Sequence, residues 1–166
     1  MSESLLATIK ALINDGKHAE ALDECHRALS SAPPDDQPRV YTLMELVHRG
    51  KKDLPAVIGV LSSGLDQFPG NPMLLFHRGR ARLDIGEHRE ALNDLTAALA
   101  AEAQANGSFY KDATNLLAAV CHQEVGEPAD VLRVCALLPE DASFWAAGKL
   151  HTKAKLVAEA RQQLDA

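Results

Sequence analysis

The sequence is poor in the residues that build sheets and in those that staple small folds. Of its 166 positions only seven are aromatic, and Val, Ile and Thr together supply 18, against 27 Ala and 24 Leu. β-Branched and aromatic side chains suit a pleated surface, whereas Ala and Leu lose little rotamer freedom in a helix, so this balance argues against a barrel or sandwich and for helix. The three cysteines, Cys25, Cys121 and Cys135, are odd in number and never spaced as CxxC. They argue against a disulfide framework and fit a reducing, cytoplasmic compartment. No apolar stretch approaches the ~18 residues that a membrane-spanning helix needs. Glu3 stands where a signal peptide would be basic, and residues 1–16 read as an amphipathic helix. Basic residues are in deficit, giving a formal charge of −6, which argues against a general nucleic-acid binder.

Catalytic signatures are missing too. There is no G-x-S-x-G, G-x-G-x-x-G, Walker-type or H-E-x-x-H segment. The Cys25-His26 and Cys121-His122 dipeptides place neighbouring side chains ~100° apart on a helix, so neither pair converges easily on one ion or one scissile bond. No catalytic residue, metal site or cofactor is therefore expected, and the chain reads as no enzyme. His18 and His88, which recur at one repeat position, read as structural.

What is present is internal repetition. G-K-H-A-E-A-L runs from Gly16 to Leu22 and G-E-H-R-E-A-L from Gly86 to Leu92, 70 residues apart, and Ala56-Val57 lies halfway between their Ala-Leu pairs. The implied period is 35. Leu5, Val40 and Leu75 form an apolar column in that register, and Ala28, Ser63 and Ala98 a small one. Apolar residues recur at i, i+3, i+4 and i+7 on both sides of each glycine, which reads as two amphipathic helices joined by a tight turn. In unit two Gly50 falls one residue early and Pro55 replaces the Glu, so its turn should be altered, with Pro tolerated in a first helical turn. A weaker fourth unit follows an Asn106-Gly107 break, with Ser108 as a cap, Gly126-Glu127-Pro128 as the turn and Val131 at the small position. About five extra residues are assigned to the second helix of unit three. The predicted units are about 2–34, 36–70, 71–106 and 107–138. A capping helix over 141–164 would carry Leu150, Ala154, Val157 and Leu164 on one stripe, with Phe144 and Trp145 as its packing anchor.

A 35-residue helical pair with G-x-x-x-E-A-L after its first helix resembles the tetratricopeptide repeat, whose pattern is W-x₂-L-G-x₂-Y…A-x₃-F…P over 34 residues. Unit one matches at Leu5, Leu12, Ala21, Cys25, Ala28 and Pro33, and unit three at Leu75, Gly79, Ala91, Leu95 and Ala98. Pentatricopeptide arrays share the period but read RNA, and the acidic balance argues against them. The tetratricopeptide resemblance implies an all-α, right-handed α-solenoid of about four units with a C-terminal cap, its first helices lining a concave groove. Ala21, Ala56 and Ala91 would be close helix contacts.

The same resemblance implies that the groove holds another protein or peptide, so the chain would be a non-enzymatic adaptor or scaffold that binds neither nucleic acid nor membrane. The first-helix residues expected there are Leu6, Lys10, Ile13 and Asn14; Tyr41, Glu45, His48 and Arg49; Phe76, Arg80, Leu83 and Asp84; and Leu116, Val120, Gln123 and Glu124. Leu6, Tyr41, Phe76 and Leu116 would form an apolar row suited to one anchor per unit. Lys10 and Arg80 fall at places used by a carboxylate clamp, but Leu6, Tyr41, Glu45 and Phe76 occupy its other positions, so chaperone C-terminal peptides are not expected. Covering of the row by the C-terminal helix, or by a second copy in a homodimer, is the competing reading. A dedicated partner-neutralising protein, such as a secretion chaperone or toxin immunity protein, and a self-assembling module are the alternative roles.

Overall fold

The structure, a computed structural model, describes residues 3–104 and 110–166. The chain is a helical solenoid. Four helix pairs follow one another: α1 (Glu3–Asn14) with α2 (His18–Ser31), α3 (Gln37–Gly50) with α4 (Leu54–Gln67), α5 (Pro72–Asp84) with α6 (His88–Gln104), and α7 (Lys111–Glu124) with α8 (Pro128–Cys135). A single 3₁₀ turn, Pro34–Asp36, joins the first two pairs. α6 takes 17 residues where α2 and α4 take 14, so part of the extra length lies in that helix. The Asn106-Gly107 break and the Ser108 cap fall outside the described residues.

The turn inside each pair is closed by one pattern of hydrogen bonds. The amides of Gly16, Lys52, Gly86 and Gly126 donate three residues back, to Ile13, Arg49, Leu83 and Gln123, while Lys17, Asp53, Glu87 and Glu127 donate five residues back. This is the Schellman arrangement, and it requires a left-handed residue just past the first helix. Three of the four are glycines at φ 73–83°, and the fourth is Lys52 at φ 58°. A non-glycine residue in this region costs roughly 1–2 kcal/mol.

That turn corrects the register of unit two. The turn residues are spaced by thirty-six, thirty-four and then forty positions, not by a uniform 35. Gly50 is the last residue of α3, where a Cβ would meet Ile13 Cγ2 at 2.8 Å and His18 Nε2 at 3.3 Å. α4 therefore starts at Leu54, capped by Asp53, whose Oδ1 accepts from Ala56 N at 3.1 Å, with Pro55 in its first turn. The close-contact column is Ala21, Val57, Ala91 and Val131, all fully buried, instead of one containing Ala56. Four residues on, Cys25, Leu61, Leu95 and Cys135 form the next buried column. One turn further Gly64, not Ser63, stands in line with Ala28 and Ala98.

The expected continuous helix over 141–164 is also corrected. Residues Ser143–Ala146 (β1) and Lys149–Thr152 (β2) form an antiparallel hairpin, and only Lys153–Leu164 is helical (α9). Ala147 and Gly148 both have positive φ, 48° and 73°, which makes a two-residue turn matched to the twist of its strands. Thr152 ends β2 and caps α9 through Lys155 N at 3.3 Å. The buried stripe of α9 is Leu156 and Ala160, whereas Ala154 and Leu164 are exposed and Leu150 belongs to the hairpin. α9 packs on α7 and α8, and the hairpin lies across the row of first helices at α5 and α7.

Candidate functional site

Two buried ion networks lie beneath the first-helix row. Between α5 and α6, Arg78 grips Asp94 with two bonds, 2.9 Å to Oδ2 and 2.7 Å to Oδ1, and Arg82 adds a third at 2.8 Å. Arg78 also reaches Ser62 Oγ at 3.1 Å. Arg78 stands in the Leu place of the repeat pattern, and this network pins α4, α5 and α6 together. A fully hydrogen-bonded carboxylate of this kind is tolerable inside a protein where an unpaired one is not.

The second network leads outward. Glu45, 4% exposed, receives Arg49 Nε at 2.5 Å and has His77 Nδ1 at 2.6 Å from its other oxygen. Burial alone would raise its pKa, but His77 and Arg49 outweigh that and hold the carboxyl below its ordinary range. Arg49 continues to Asp84 Oδ2 at 2.7 Å, and Asp84 Oδ1 accepts the amide of Ala147 at 2.8 Å. A chain of polar contacts thus runs from α3 through α5 to the tip of the hairpin.

This geometry places the predicted groove residues unevenly. Leu6 is half-buried and Lys10 exposed on α1. Tyr41 is buried against α4, edge-on to Phe68 at 6.4 Å, and lies so close to Gly64 that a Cβ there would meet its Cγ at 2.9 Å. Phe76 stacks on Tyr110 at 4.5 Å and meets Phe144 of the hairpin edge-on at 6.4 Å. Leu83, Leu116 and Val120 are buried as well. The expected open row of Leu6, Tyr41, Phe76 and Leu116 is therefore corrected: Tyr41 turns into the α3–α4 wedge, and the chain's own hairpin covers the row over α5 and α7. Gln123 is half-buried and borders a cavity of about 50 Å³ shared with His151, whose imidazole burial holds below its ordinary pKa. His48 is half-buried, its pKa lowered by burial and then by Lys51.

What stays open is a cleft of about 400 Å³ beside the hairpin, lined by Arg49, Lys52, Leu54, Arg80, Asp84 and the segment Trp145–Gly148. Arg49, Arg80 and Asp84 are groove residues expected from sequence, whereas Lys52, Leu54 and Trp145 are not. Trp145 is not a packing anchor of α9: it is 61% exposed, paired across the hairpin with Leu150, itself 52% exposed. The signal that could have found this edge is Ser143–Thr152 itself, where Phe144-Trp145 on one side and Leu150 to Thr152 on the other flank Ala147-Gly148.

The thiols of Cys25 and Cys121 are buried, and desolvation pushes them up to about 11 and about 12, so they stay protonated and unreactive at neutral pH. His122, Glu127 and Asp130 bring ligand-type atoms within 4.8 Å of one another. Glu127 already meets His122 Nδ1 at 2.8 Å and Arg89 at 3.4 Å, and Asp130 meets Arg133 at 2.8 Å. Among the described residues, no helix is long and apolar enough to cross a membrane.

Among solved structures, the chain is similar to TTC0263, a thermophilic repeat protein of Thermus thermophilus. The TM-score is 0.60 at 19% identity, over 99% of this chain and 81% of that one. It is also similar to nearly identical repeats from Podosopora anserina, with TM-score 0.67, 13% identity, and 98% and 86% coverage. The fold is that of tetratricopeptide-repeat proteins. A third such structure, MamA from MSR-1, gives TM-score 0.55 at 16% identity over 97% of this chain and 75% of that one. No family profile matches the sequence, and neither does any curated protein. The departures from the tetratricopeptide pattern are local ones: Lys52 in a glycine place, and a hairpin laid over the first helices of units three and four.

Proposed function

We propose that this tetratricopeptide solenoid is a non-enzymatic protein-binding scaffold of the cytoplasm, and that its partner docks on the first-helix side at the edge of the hairpin instead of along the whole row. The observation that carries the reading is the half-closed face. Phe76, Leu83 and Leu116 are already covered by the chain, while the adjacent cleft of about 400 Å³ stays open and ends on the exposed Trp145–Leu150 pair. Large exposed apolar side chains next to a cleft are characteristic of interaction sites. Of the groove residues expected from sequence, Arg49, Arg80 and Asp84 line this opening.

Site-specific photo-crosslinking in cells tests it. A photoreactive residue in place of Trp145 is expected to yield adducts with another protein, and one in place of Asp23, exposed on α2, is not. Equal labelling from both positions would overturn the docking site, and adducts only with a second copy of the chain would replace the scaffold by a self-assembling module.

A further inference from the structure

Lys52 is the feature that the fold does not ask for. Four turns share one hydrogen-bond pattern, and the left-handed residue is Gly16, Gly86 and Gly126 in three of them. In the second it is a lysine, in a conformation that disfavours any Cβ, and the residue is exposed and lines the open cleft. Strain kept at a place where glycine serves three times over points to the side chain as the reason for keeping it.

The charges around Lys52 say what the side chain is for. Three cations, Arg49, Lys52 and Arg80, and one carboxylate, Asp84, line the cleft of a chain whose formal charge is −6. Asp84 has spent both oxygens, on Arg49 and on the amide of Ala147. Glu45 behind it is buried, with Arg49 Nε against one oxygen and His77 Nδ1 against the other. The side chains of Lys52 and Arg80 make no hydrogen bond or ion pair among the described residues, and Arg80 Nε and Arg49 Nη2 are buried without a partner. Arg80 is held in place by the Phe144 ring, 5.4 Å below its guanidinium carbon. Lys52 and Arg80 line the cleft with no protein partner for their charge, which a carboxylate arriving from outside can supply. Leu54 and the exposed Trp145 stand at the same opening and supply an apolar anchor point.

We propose that the cleft recognises an acidic segment of the partner protein, one whose Asp or Glu meets Lys52 and Arg80 while an adjacent apolar or aromatic side chain packs against Trp145 and Leu54. The inference rests on the scaffold reading above and adds the partner's chemistry to it. The size of the cleft and the apolar surface of Trp145, continuing across the hairpin onto its partner Leu150, favour a polypeptide over a small free anion.

The full-length protein, fluorescently labelled, is tested on an array of random octapeptides, with a poly-dT oligonucleotide and inorganic phosphate as further probes. Bound peptides are expected to be enriched in Asp or Glu next to an apolar residue, with binding weakened by salt. Neutral or basic peptides as the bound class, no bound peptide, or preference for poly-dT or phosphate would each overturn the proposal. Arg80→Gln is expected to lower affinity for the best acidic peptide about tenfold and Lys52→Gly about fivefold, as for charge pairs at an interface. Lys52→Gly carries the sharper test, since it relieves the left-handed strain and is expected to raise the melting temperature while it weakens binding. Unchanged affinity in Lys52→Gly would remove the role of that side chain. If the crosslinks from position 145 survive in the Lys52→Gly, Arg80→Gln double variant, the scaffold reading stands and only the partner chemistry falls.

Discussion

α1 and α7 occupy the same place in their repeats, yet they are packed differently. α7 buries eight consecutive residues, Thr114 to Cys121, so every face of it is covered. α1 buries only Ile9 among its described side chains. Each has a second helix beside it, but α7 also lies under β1, β2 and α9, while the neighbours of α1 among the described residues are α2 and α3. α1 ends the array and stays half-wet, α3 between two pairs buries seven residues, and over α7 the C-terminal hairpin adds the last of the cover. Groove and core are not separate sets of positions in this molecule. Which of the two a residue joins depends on how far along the array it lies.

The largest test of that contrast is truncation on either side of it. Phe76→Ala removes a ring sandwiched among Tyr110, Phe144 and His77 and is expected to lower stability by about 3–5 kcal/mol, read as the urea midpoint multiplied by the slope. Leu6→Ala, at a half-buried place on α1, is expected to cost about 1 kcal/mol or less. Similar losses at the two sites would mean that the hairpin adds little to the packing of unit three.

Asp84→Ala probes the link between the hairpin and the rest. The substitution takes the acceptor from Arg49 Nη1 and from the amide of Ala147 together, so a loss of about 1–3 kcal/mol is expected. Hydrogen exchange should show where it acts: faster exchange in 143–152 and in α7, and no change in α1. Uniform acceleration along the chain would show that the ion network holds the whole array instead of the covered half.

The particular residues show why some of this could be read from sequence and some could not. Helical content and the pairing of helices follow from Ala and Leu recurring on one face around each Gly, a local signal that survives small errors of register. Side-chain direction does not survive them. Tyr41 and Phe76 are 35 residues apart, but Tyr41 lies eleven residues before its left-handed turn residue and Phe76 ten before its own. One residue is ~100° on a helix, so Tyr41 points at α4 and Phe76 toward Tyr110 and the hairpin. Gly50 resembles a turn glycine in sequence, although Asp53 before Leu-Pro-Ala is itself a helix-start signal. The hairpin escaped because Leu150, Ala154, Val157 and Leu164 fit a helical period with good helix formers, while strand pairing depends on residues that meet only across the Ala147-Gly148 turn.

The smallest expected effect is the most selective one. Ala147 holds a left-handed φ of 48° in a turn that favours Asn or Asp at this place, before glycine. Ala147→Asn keeps the backbone amide that donates to Asp84 and lessens the strain, so a gain of up to about 1 kcal/mol is expected. The gain should not be spread evenly. If the hairpin is what completes the core over α7, stiffening its turn slows amide exchange in β1, β2 and α7 and leaves α1 unchanged, because among the described residues the hairpin packs on α5, α7 and α9. Added protection in α1 equal to that in α7 would show that the array opens as one unit, and the contrast between its two ends would then be one of burial alone and not of local stability.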